Sequence, residues 1–214
     1  MKIVKPGVEF ITPIDGNVIL KRLEECGRVC YKSESRITET SAPTFVGNIL
    51  KRGHESVLEH CSFTVKFTCD RGVSHEIVRH RLASYSQEST RYCNYGAGQF
   101  GREITVIAPY FLNPNTDGWE LWKEGCEAAE TAYFNLLEYG CSPQEARSVL
   151  PNSLKTEVVM TANIREWRHF LKLRCSEAAH PQMREVALAL LKEVHAKIPV
   201  LFDDLWEEYG GDSH

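Results

Sequence analysis

The chain has 214 residues and a mass of 24.4 kDa, a length that suits one domain with a sizeable hydrophobic core. Its formal net charge of -4 and its pI near 6.1 argue against the broad basic field of a protein that coats nucleic acid. The sequence has no apolar run of the roughly eighteen residues that a membrane span needs, and its first residues lack the pattern of a signal peptide. We therefore expect a cytoplasmic protein that has neither nucleic acid nor membrane as a partner.

The N-terminal part predicts two short strands followed by two helices. Runs rich in valine and isoleucine favour edge strands over residues 2–4 and 8–14. Apolar residues recur at helical intervals over residues 17–31. A second helix is expected over residues 41–52, with Gly53 ending it, because glycine is common just past a helix end.

A strand and a helix precede the most unusual part of the chain. Residues 61–69 alternate between apolar and polar side chains, which is typical of a half-buried strand. Asp70 is a candidate cap for a helix that would continue to about Arg81, after which residues 84–86 break the pattern. We therefore expect the polar groups of this segment at a helix end, where ligand-binding groups are often displayed.

The next part predicts two strands and a long helix. Strands are expected over residues 102–109 and 155–162, and the apolar pattern of residues 117–139 predicts an amphipathic helix. A capping box at Ser142, with proline at the first helical position, begins a short helix that carries Arg147.

Two helices complete the prediction. Asn163 is expected to cap a helix over residues 164–174 that carries several cations, and Pro181 would begin a last helix that continues to Pro199. No repeat, linker or low-complexity segment interrupts the pattern, so a single domain over residues 1–214 is expected.

Residues 74–95, SHEIVRHRLASYSQESTRYCNY, concentrate guanidinium and hydroxyl groups. The guanidinium fork of arginine matches phosphate oxygens, and serine and threonine hydroxyls complete such a site. Arg79, His80 and Arg81 could instead be cations that complement a helix C-terminus. The density of the cluster favours a phosphorylated ligand.

Histidines near glutamates raise the question of a metal, but their spacing is wrong. His54 and His60 are six residues apart and would face different sides of a helix. His75 and His80 are five residues apart, whereas the zinc-protease motif needs four. The eight cysteines include no CxxC pair, so no metal site is predicted.

The segment RHR, seven further residues and then Ser89, resembles the signature of the flavin-dependent thymidylate synthase family. An upstream block, GHxSxxEH, resembles that family at Gly53, His54, Ser56, Glu59 and His60. Later blocks at residues 145–151, 163–165 and 169–174 appear in the family's order. The resemblance implies an α+β fold, with a central, mostly antiparallel sheet flanked by helices and a bundle of long helices.

The resemblance also implies a role for each matching residue. Arg174 would contact the uracil ring and stabilise its ionised form, which makes it the candidate catalytic residue. The residues implied in FAD binding are His54, Ser56, Arg79, His80, Arg81, Gln87, Asn163, Arg165 and His169. The residues implied in binding deoxyuridine monophosphate (dUMP) are Glu76, Arg79, Gln87, Glu88, Ser89, Thr90, Arg91, Arg147 and Arg174.

In such an enzyme dUMP is methylated with methylenetetrahydrofolate, and NADPH reduces the FAD. Amino acids cannot carry a hydride, so a cofactor must do so. The resemblance further implies a homotetramer with shared active sites. Ser89 is interpreted as a phosphate ligand rather than a nucleophile, because no nucleophile elbow or paired base surrounds it.

Two positions depart from the family pattern. Gln87 precedes Glu88 where the family often has Asn-Glu, so either residue could supply the usual glutamate contact. Glu76 stands where glutamine is common and would repel a phosphate unless it pairs with a cation. Two alternatives therefore stay open: a flavin-dependent NADPH reductase or oxidase without methyl transfer, and a phosphate-binding or nucleotide-binding module.

Overall fold

A computed structural model of the chain describes residues 1–96, 98 and 101–211. The strands within these residues are β1 Lys2–Val4, β2 Gly7–Phe10, β3 Ser62–Asp70, β4 Ala83–Gln87, β5 Thr105–Ile107 and β6 Lys155–Asn163. The helices are α1 Gly16–Val29, α2 Ser41–Lys51, α3 Arg71–Ile77, α4 Asp117–Glu138, α5 Pro143–Ala146, α6 Ile164–Arg174, α7 Pro181–Lys197 and α8 Pro199–Tyr209. This combination of helices with a small antiparallel sheet confirms the predicted α+β class.

The strands form two sheets. β1 and β5 pair in parallel, with Ile3 opposite Val106. The larger sheet has the order β2-β3-β6-β4, so β3 and β6 are its central strands. Every second residue along most of β3 and β6 is buried, as expected for strands whose side chains alternate between two faces.

Backbone contacts divide the chain into two compact units, each assembled from three segments. The first unit comprises Met1–Gly7, Phe67–Arg79 and Ser86–Val158, and the second comprises Val8–Lys66, His80–Tyr85 and Val159–His214. The single domain expected from the sequence stays a prediction.

The first unit has its own hydrophobic core around the long helix α4. Cys126 and Tyr133 point from α4 into this core, where Ile104, Val106 and Leu154 are also buried. Thr116 begins α4 as its N-cap, since its hydroxyl accepts a hydrogen bond from the Trp119 amide. Among the described residues, no helix is both long enough and apolar enough to cross a membrane.

The second unit buries its largest side chains between a strand and a helix. The Trp167 ring of α6 stacks on the Phe63 ring with 4.9 Å between the ring centroids and 6° between the ring planes. The Trp167 indole nitrogen donates to the Phe63 carbonyl oxygen at 3.2 Å, so the buried polar group is satisfied. Both side chains are completely buried, which fixes the position of α6 within this unit.

Several predicted element boundaries are wrong. The strand expected over residues 8–14 ends at Phe10, and the strand expected over residues 102–109 is limited to Thr105–Ile107. The helix that begins after Asp70 ends at Ile77 instead of near Arg81, and residues predicted to break the pattern form strand β4. The Glu88 amide donates to the Glu157 carbonyl oxygen at 2.9 Å, so pairing with a distant segment favours the extended backbone there. The helix that begins at Pro181 is not the last, because Pro199 begins α8.

Candidate active site

The arginine-rich segment lies between α3 and β4. Asp70 begins α3 because its Oδ1 accepts a hydrogen bond from the Val73 amide at 2.7 Å. The helix ends at Ile77, so Arg79, His80 and Arg81 follow it in the stretch that leads to β4. The side chains of Arg79 and Arg81 are exposed. The sequence predicted these residues in the last turn of the helix, whereas they follow its end.

The first unit contains a cleft of about 250 Å³ that is lined with cations and hydroxyl groups. We call it the Arg147 cleft. Arg71 and His75 reach it from α3, and Arg147 follows α5, which the capping box of Ser142 begins. Arg147 Nη1 donates to Thr90 Oγ1 at 3.2 Å. The described lining residues include no acid, so the cleft is suited to an anion.

The two arginines of the Arg147 cleft are only lightly engaged by the protein. Arg71 Nη1 donates to the Glu88 carbonyl oxygen at 3.3 Å and to Thr156 Oγ1 at 3.4 Å, which are long bonds. Each guanidinium uses only Nη1 in bonds to the described residues, although arginine carries five N–H donors. The remaining donors are available to a ligand.

Gln87 and Glu88 are held by neighbouring side chains of the first unit. The Gln87 amide nitrogen donates to Ser74 Oγ at 2.9 Å. The Glu88 carboxylate lies 2.9 Å from Lys155 Nζ and accepts from the Tyr95 hydroxyl at 3.0 Å. Burial, together with Glu88, raises the pKa of Tyr95, which keeps that hydroxyl protonated as a donor. Which of the two residues replaces the usual glutamate contact stays a prediction.

The other residues predicted to bind dUMP have different surroundings. Ser89 Oγ accepts from the Arg91 amide at 3.3 Å, and Arg91 Nη2 donates to Gln144 Oε1 at 3.5 Å. Glu76 is half-buried on α3. Of the predicted dUMP ligands in the first unit, Thr90 and Arg147 line the Arg147 cleft.

In the second unit, three charged or titratable side chains lie in a line, each close to the next. Arg174 Nε donates to His80 Nε2 at 3.0 Å, and His80 Nδ1 lies 3.3 Å from Glu166 Oε1. We call these residues the His80 line. Because the Arg174 Nε always carries a hydrogen, His80 Nε2 must accept, which leaves the imidazole proton on Nδ1, facing Glu166.

Burial governs the protonation of the His80 line. His80 is 4% exposed and Glu166 is 5% exposed. Burial, then the charge of Arg174 and the neighbouring His169, lowers the pKa of His80 to about 4. Burial raises the pKa of the Glu166 carboxyl above its usual value. His80 is therefore neutral near pH 7, which agrees with the tautomer that its neighbours require.

A metal is a second interpretation of the same cluster. His80, Glu166 and His169 bring potential ligand atoms within 4.8 Å of one another. Both nitrogens of His80, however, already face protein groups, and the Arg174 guanidinium beside the ring would repel a cation. The line of contacts between protein groups is the better account of this geometry.

Three predicted FAD ligands of the second unit line one cavity of about 430 Å³. We call it the His54 cavity; His54 and Ser56 follow α2, and Arg165 reaches it from the first turn of α6. Arg165 Nη1 donates to Glu59 at 2.6 Å, and its Nε lies 3.6 Å from Glu55. The two carboxylates orient the guanidinium at the edge of the cavity. Imidazole, hydroxyl and guanidinium groups are suited to the ribose and phosphate parts of a dinucleotide.

Two other predicted FAD ligands, Asn163 before α6 and His169 within it, have separate roles in the structure. Asn163 caps the helix, since its Oδ1 accepts from the Glu166 amide at 2.9 Å, as predicted. His169 is exposed, and its ring centroid lies 5.7 Å from that of His80.

Sequence reasoning missed Arg71, His75 and Glu166 as site residues. Arg71 directly follows the helix cap Asp70, and His75 was considered only as a metal ligand. Glu166 belongs to no motif in the sequence, yet its carboxylate faces His80. The available signal was its position three residues before His169 and four before Phe170, which places all three on one side of a helix.

Comparisons with known proteins place the chain in a family. The family model described as thymidylate synthase complementing protein matches residues 19–200. A flavin-dependent thymidylate synthase from Geobacter sulfurreducens is 35% identical over 184 residues, which cover 83% of this chain and 78% of that protein. One from Mycolicibacterium gilvum is 36% identical over 217 residues, which cover 93% and 84%.

A solved structure shares the fold. It is the UMP/dUMP methylase PolB from Streptomyces cacaoi, bound with 5-Br dUMP, with a TM-score of 0.76, 22% identity and 98% of each chain covered. The family match and the two relatives show that the chain belongs to the flavin-dependent thymidylate synthase family, and it is an enzyme of that type. The predicted family membership is confirmed.

Proposed function

We propose that the chain converts dUMP to dTMP by reductive methylation, with FAD as the cofactor, methylenetetrahydrofolate as the carbon donor and NADPH as the reductant. The observation that carries this proposal is the Arg147 cleft, in which two lightly engaged arginines and a threonine hydroxyl face a space without acids. Family membership narrows the anion to a nucleotide phosphate. We further propose that the protein is a homotetramer and that it is located in the cytoplasm.

The residues of the Arg147 cleft would bind the nucleotide phosphate. Arg71 and Arg147 supply charged donors, and Thr90 supplies a hydroxyl. Charge-assisted hydrogen bonds of this kind are stronger than neutral ones, at about 1.5–3 kcal/mol each. Ser89, Arg91, Glu76 and Arg79 remain proposed ligands of the rest of the nucleotide.

The His80 line would serve the chemistry at the uracil ring. Methylation requires an electron-rich ring carbon, and a fixed cation beside a ring carbonyl favours the ionised ring. Arg174 suits that role because its guanidinium does not lose its proton. The bond from Arg174 Nε to His80 Nε2, with Glu166 on the other side of the imidazole, would hold the guanidinium in place.

The donor set of the His54 cavity fits part of an FAD molecule. His54, Ser56 and Arg165 would hold the ribose and phosphate groups there. Arg79, His80, Arg81, Gln87, Asn163 and His169 are the other proposed FAD ligands. The flavin supplies hydride transfer, which no amino-acid side chain can supply.

Two measurements test the proposal. The purified protein should be yellow, with a flavin absorbance spectrum, and should release tritium from dUMP labelled at the ring carbon that is methylated. NADPH oxidation without tritium release would instead identify a reductase or oxidase, an alternative motivated by Glu76 and Gln87. Colourless protein that takes up no FAD would contradict both functions.

A further inference from the structure

A second cavity of the second unit is unusually basic. It measures about 520 Å³ and lies where the end of α1, the stretch that follows it and the C-terminal half of α2 meet. Its lining includes Arg28, Lys32, Arg36 and Arg52, and none of the described lining residues is acidic. We call it the basic pocket. Its volume lies within the range of small-molecule sites, about 300–1,000 Å³.

Arg28 belongs to the scaffold of the basic pocket. Its Nη2 and Nε donate to the buried Glu24 carboxylate at 2.7 and 3.0 Å, and Glu24 Oε2 accepts from Ser41 Oγ at 2.8 Å. The Arg28 guanidinium also lies over the Phe45 ring, 4.6 Å from its centroid. The charge of Arg28 is thus neutralised within the fold, and its removal would disturb the packing of α1 on α2.

The other three cations have no such neutralisation. Lys32, Arg36 and Arg52 are exposed, and none of them forms an ion pair with any residue that the structure describes. Three like charges around one concave space repel one another unless an anion enters. Lys32 has a φ of 46°, in the left-handed region that residues other than glycine rarely adopt. The backbone is therefore strained at Lys32.

The uncharged lining residues indicate what kind of anion would enter. Ser33 and Ser35 offer hydroxyl donors beside the cations, which suits a phosphate group. Tyr31 offers an exposed aromatic ring, which suits the face of a purine base. A phosphorylated adenosine combines these two features.

The basic pocket adjoins the His54 cavity, which is proposed for the ribose and phosphate groups of FAD. Tyr31, Ile49 and His54 line both spaces. The nicotinamide of a reductant must lie against the flavin ring to deliver hydride, so its distal adenosine end lies away from that ring and can occupy a space beside another part of the FAD site. Among the co-substrates of the proposed reaction, NADPH carries both an adenine and a ribose 2′-phosphate.

We propose that the basic pocket binds the 2′-phosphoadenosine end of NADPH, with Arg36, Arg52 and Lys32 holding the 2′-phosphate. This inference rests on the proposed function and adds to it the basis of a preference for NADPH over NADH. The glutamyl carboxylates of the folate, the FAD itself and an acidic surface of another subunit are competing occupants, and the experiments below distinguish them.

The test compares Arg36→Gln and Arg52→Gln with Arg22→Gln, which removes an exposed arginine of α1 outside the pocket. Flavin reduction is followed without oxygen, as a function of NADPH and of NADH concentration. Each pocket variant should lower the NADPH-over-NADH preference by about tenfold, as expected for the loss of one charge-assisted hydrogen bond. Arg22→Gln should keep the wild-type preference. Thermal unfolding of each variant checks that the fold is retained.

Other outcomes overturn the inference while the proposed function stands. An unchanged preference in both variants, or a wild type without a preference for NADPH, excludes the 2′-phosphate from the pocket. A raised KM for the polyglutamyl folate alone assigns the pocket to the folate tail. A change in oligomeric state of the variants, with unchanged kinetics, assigns it to a subunit contact.

A binding measurement keeps the inference testable even if the proposed reaction fails. Adenosine 2′,5′-bisphosphate and 5′-AMP are titrated calorimetrically into the wild type as purified and after saturation with FAD. The bisphosphate should bind at least about tenfold more tightly, and Arg36→Gln should remove the difference. Equal affinities, or loss of bisphosphate binding on FAD saturation, would overturn the inference.

Discussion

The His80 line of the second unit and the Arg147 cleft of the first unit use arginine in opposite ways. Along the His80 line, a 3.0 Å hydrogen bond fixes the Arg174 guanidinium against a buried imidazole that is itself held by Glu166. In the Arg147 cleft, Arg71 and Arg147 form bonds of 3.2–3.4 Å and keep several donors for a ligand. The Arg174 guanidinium thus has a close protein partner, whereas the two arginines of the Arg147 cleft have only long bonds to the described residues.

This difference follows from the cost of burying charge. A cation in contact with buried groups must have its partners within the fold, because an unpaired buried charge is strongly destabilising. Arg147 is exposed, so its charge is solvated and can remain without an anion at little cost. We therefore expect changes along the His80 line to affect turnover and acid stability, and changes in the Arg147 cleft to affect substrate affinity.

The largest expected effect comes from Arg174→Ala. Loss of the cation should lower kcat by about 10²–10³-fold, the range found when one group that stabilises transition-state charge is removed. FAD binding should be retained, because the residues of the His54 cavity are unchanged. Tritium release and the flavin spectrum are measured on the same sample. Normal turnover in the variant would show that Arg174 does not activate the uracil ring.

Arg147→Ala should act on affinity instead. Removing one charged donor to a phosphate should raise the KM for dUMP by about 10–100-fold, with a smaller change in kcat. Arg102→Ala is the matched control in the same unit, because Arg102 is an exposed arginine paired with Glu138 and lies outside the cleft. Steady-state kinetics check both variants. Equal effects of the two substitutions would contradict a specific phosphate site.

Glu166 tests whether the His80 line positions Arg174. Glu166→Leu should lower kcat by about tenfold, with little change in the KM for dUMP, because a group that orients a functional residue typically contributes 10–100-fold. Glu166→Gln keeps an oxygen that can accept from His80 Nδ1 and should recover most of the activity. Equal losses in Gln and Leu variants would indicate that the carboxylate charge matters rather than its hydrogen bond.

The smallest effect concerns acid stability. His80 has a pKa of about 4 in the folded protein and 6.5 ordinarily, so between these values the unfolded chain binds more protons. Stability should therefore fall as the pH decreases from about 6.5 to about 4, with a slope of up to about 1.4 kcal/mol per pH unit. Protonation of Glu166, whose folded pKa is raised by burial, opposes this loss towards the acid end.

Urea unfolding of the wild type and His80→Gln across this pH range measures the effect. The variant should show a flatter dependence, since it lacks the group that takes up the proton on unfolding. Arg174 and His169 also face the imidazole and remain in the variant. Parallel pH dependences in the two proteins would exclude His80 as the source of the acid sensitivity.

Local signals in the sequence predicted most elements of the fold. Asp70 and Asn163 cap their helices as expected, the capping box at Ser142 begins α5, and Gly53 follows α2 with a φ of 67°. These features depend on neighbours within a few residues, so a sequence pattern specifies them. Strand β4 could not be predicted in this way, because the extended backbone there depends on pairing with residues far along the chain.

Residues of the candidate site could be predicted where they belong to a family motif or to a dense cluster of arginines and hydroxyl groups. The arginines and hydroxyls of residues 74–95 indicated an anion, and the family blocks indicated which residues matter. Glu166 and Arg71 belong to no such motif or cluster. Their roles depend on which groups lie opposite them in the fold. Burial, which lowers the pKa of His80, is likewise a property of the packed structure.

Calorimetric titration of dUMP and of deoxyuridine, which lacks the phosphate, tests the central claim about the Arg147 cleft most directly. The flavin-loaded wild type should bind dUMP at least about 100-fold more tightly than deoxyuridine, as expected for several charge-assisted hydrogen bonds to the phosphate. Arg147→Ala should reduce this ratio by at least about tenfold while the affinity for deoxyuridine is kept. An unchanged ratio in the variant would contradict the assignment of the nucleotide phosphate to this cleft.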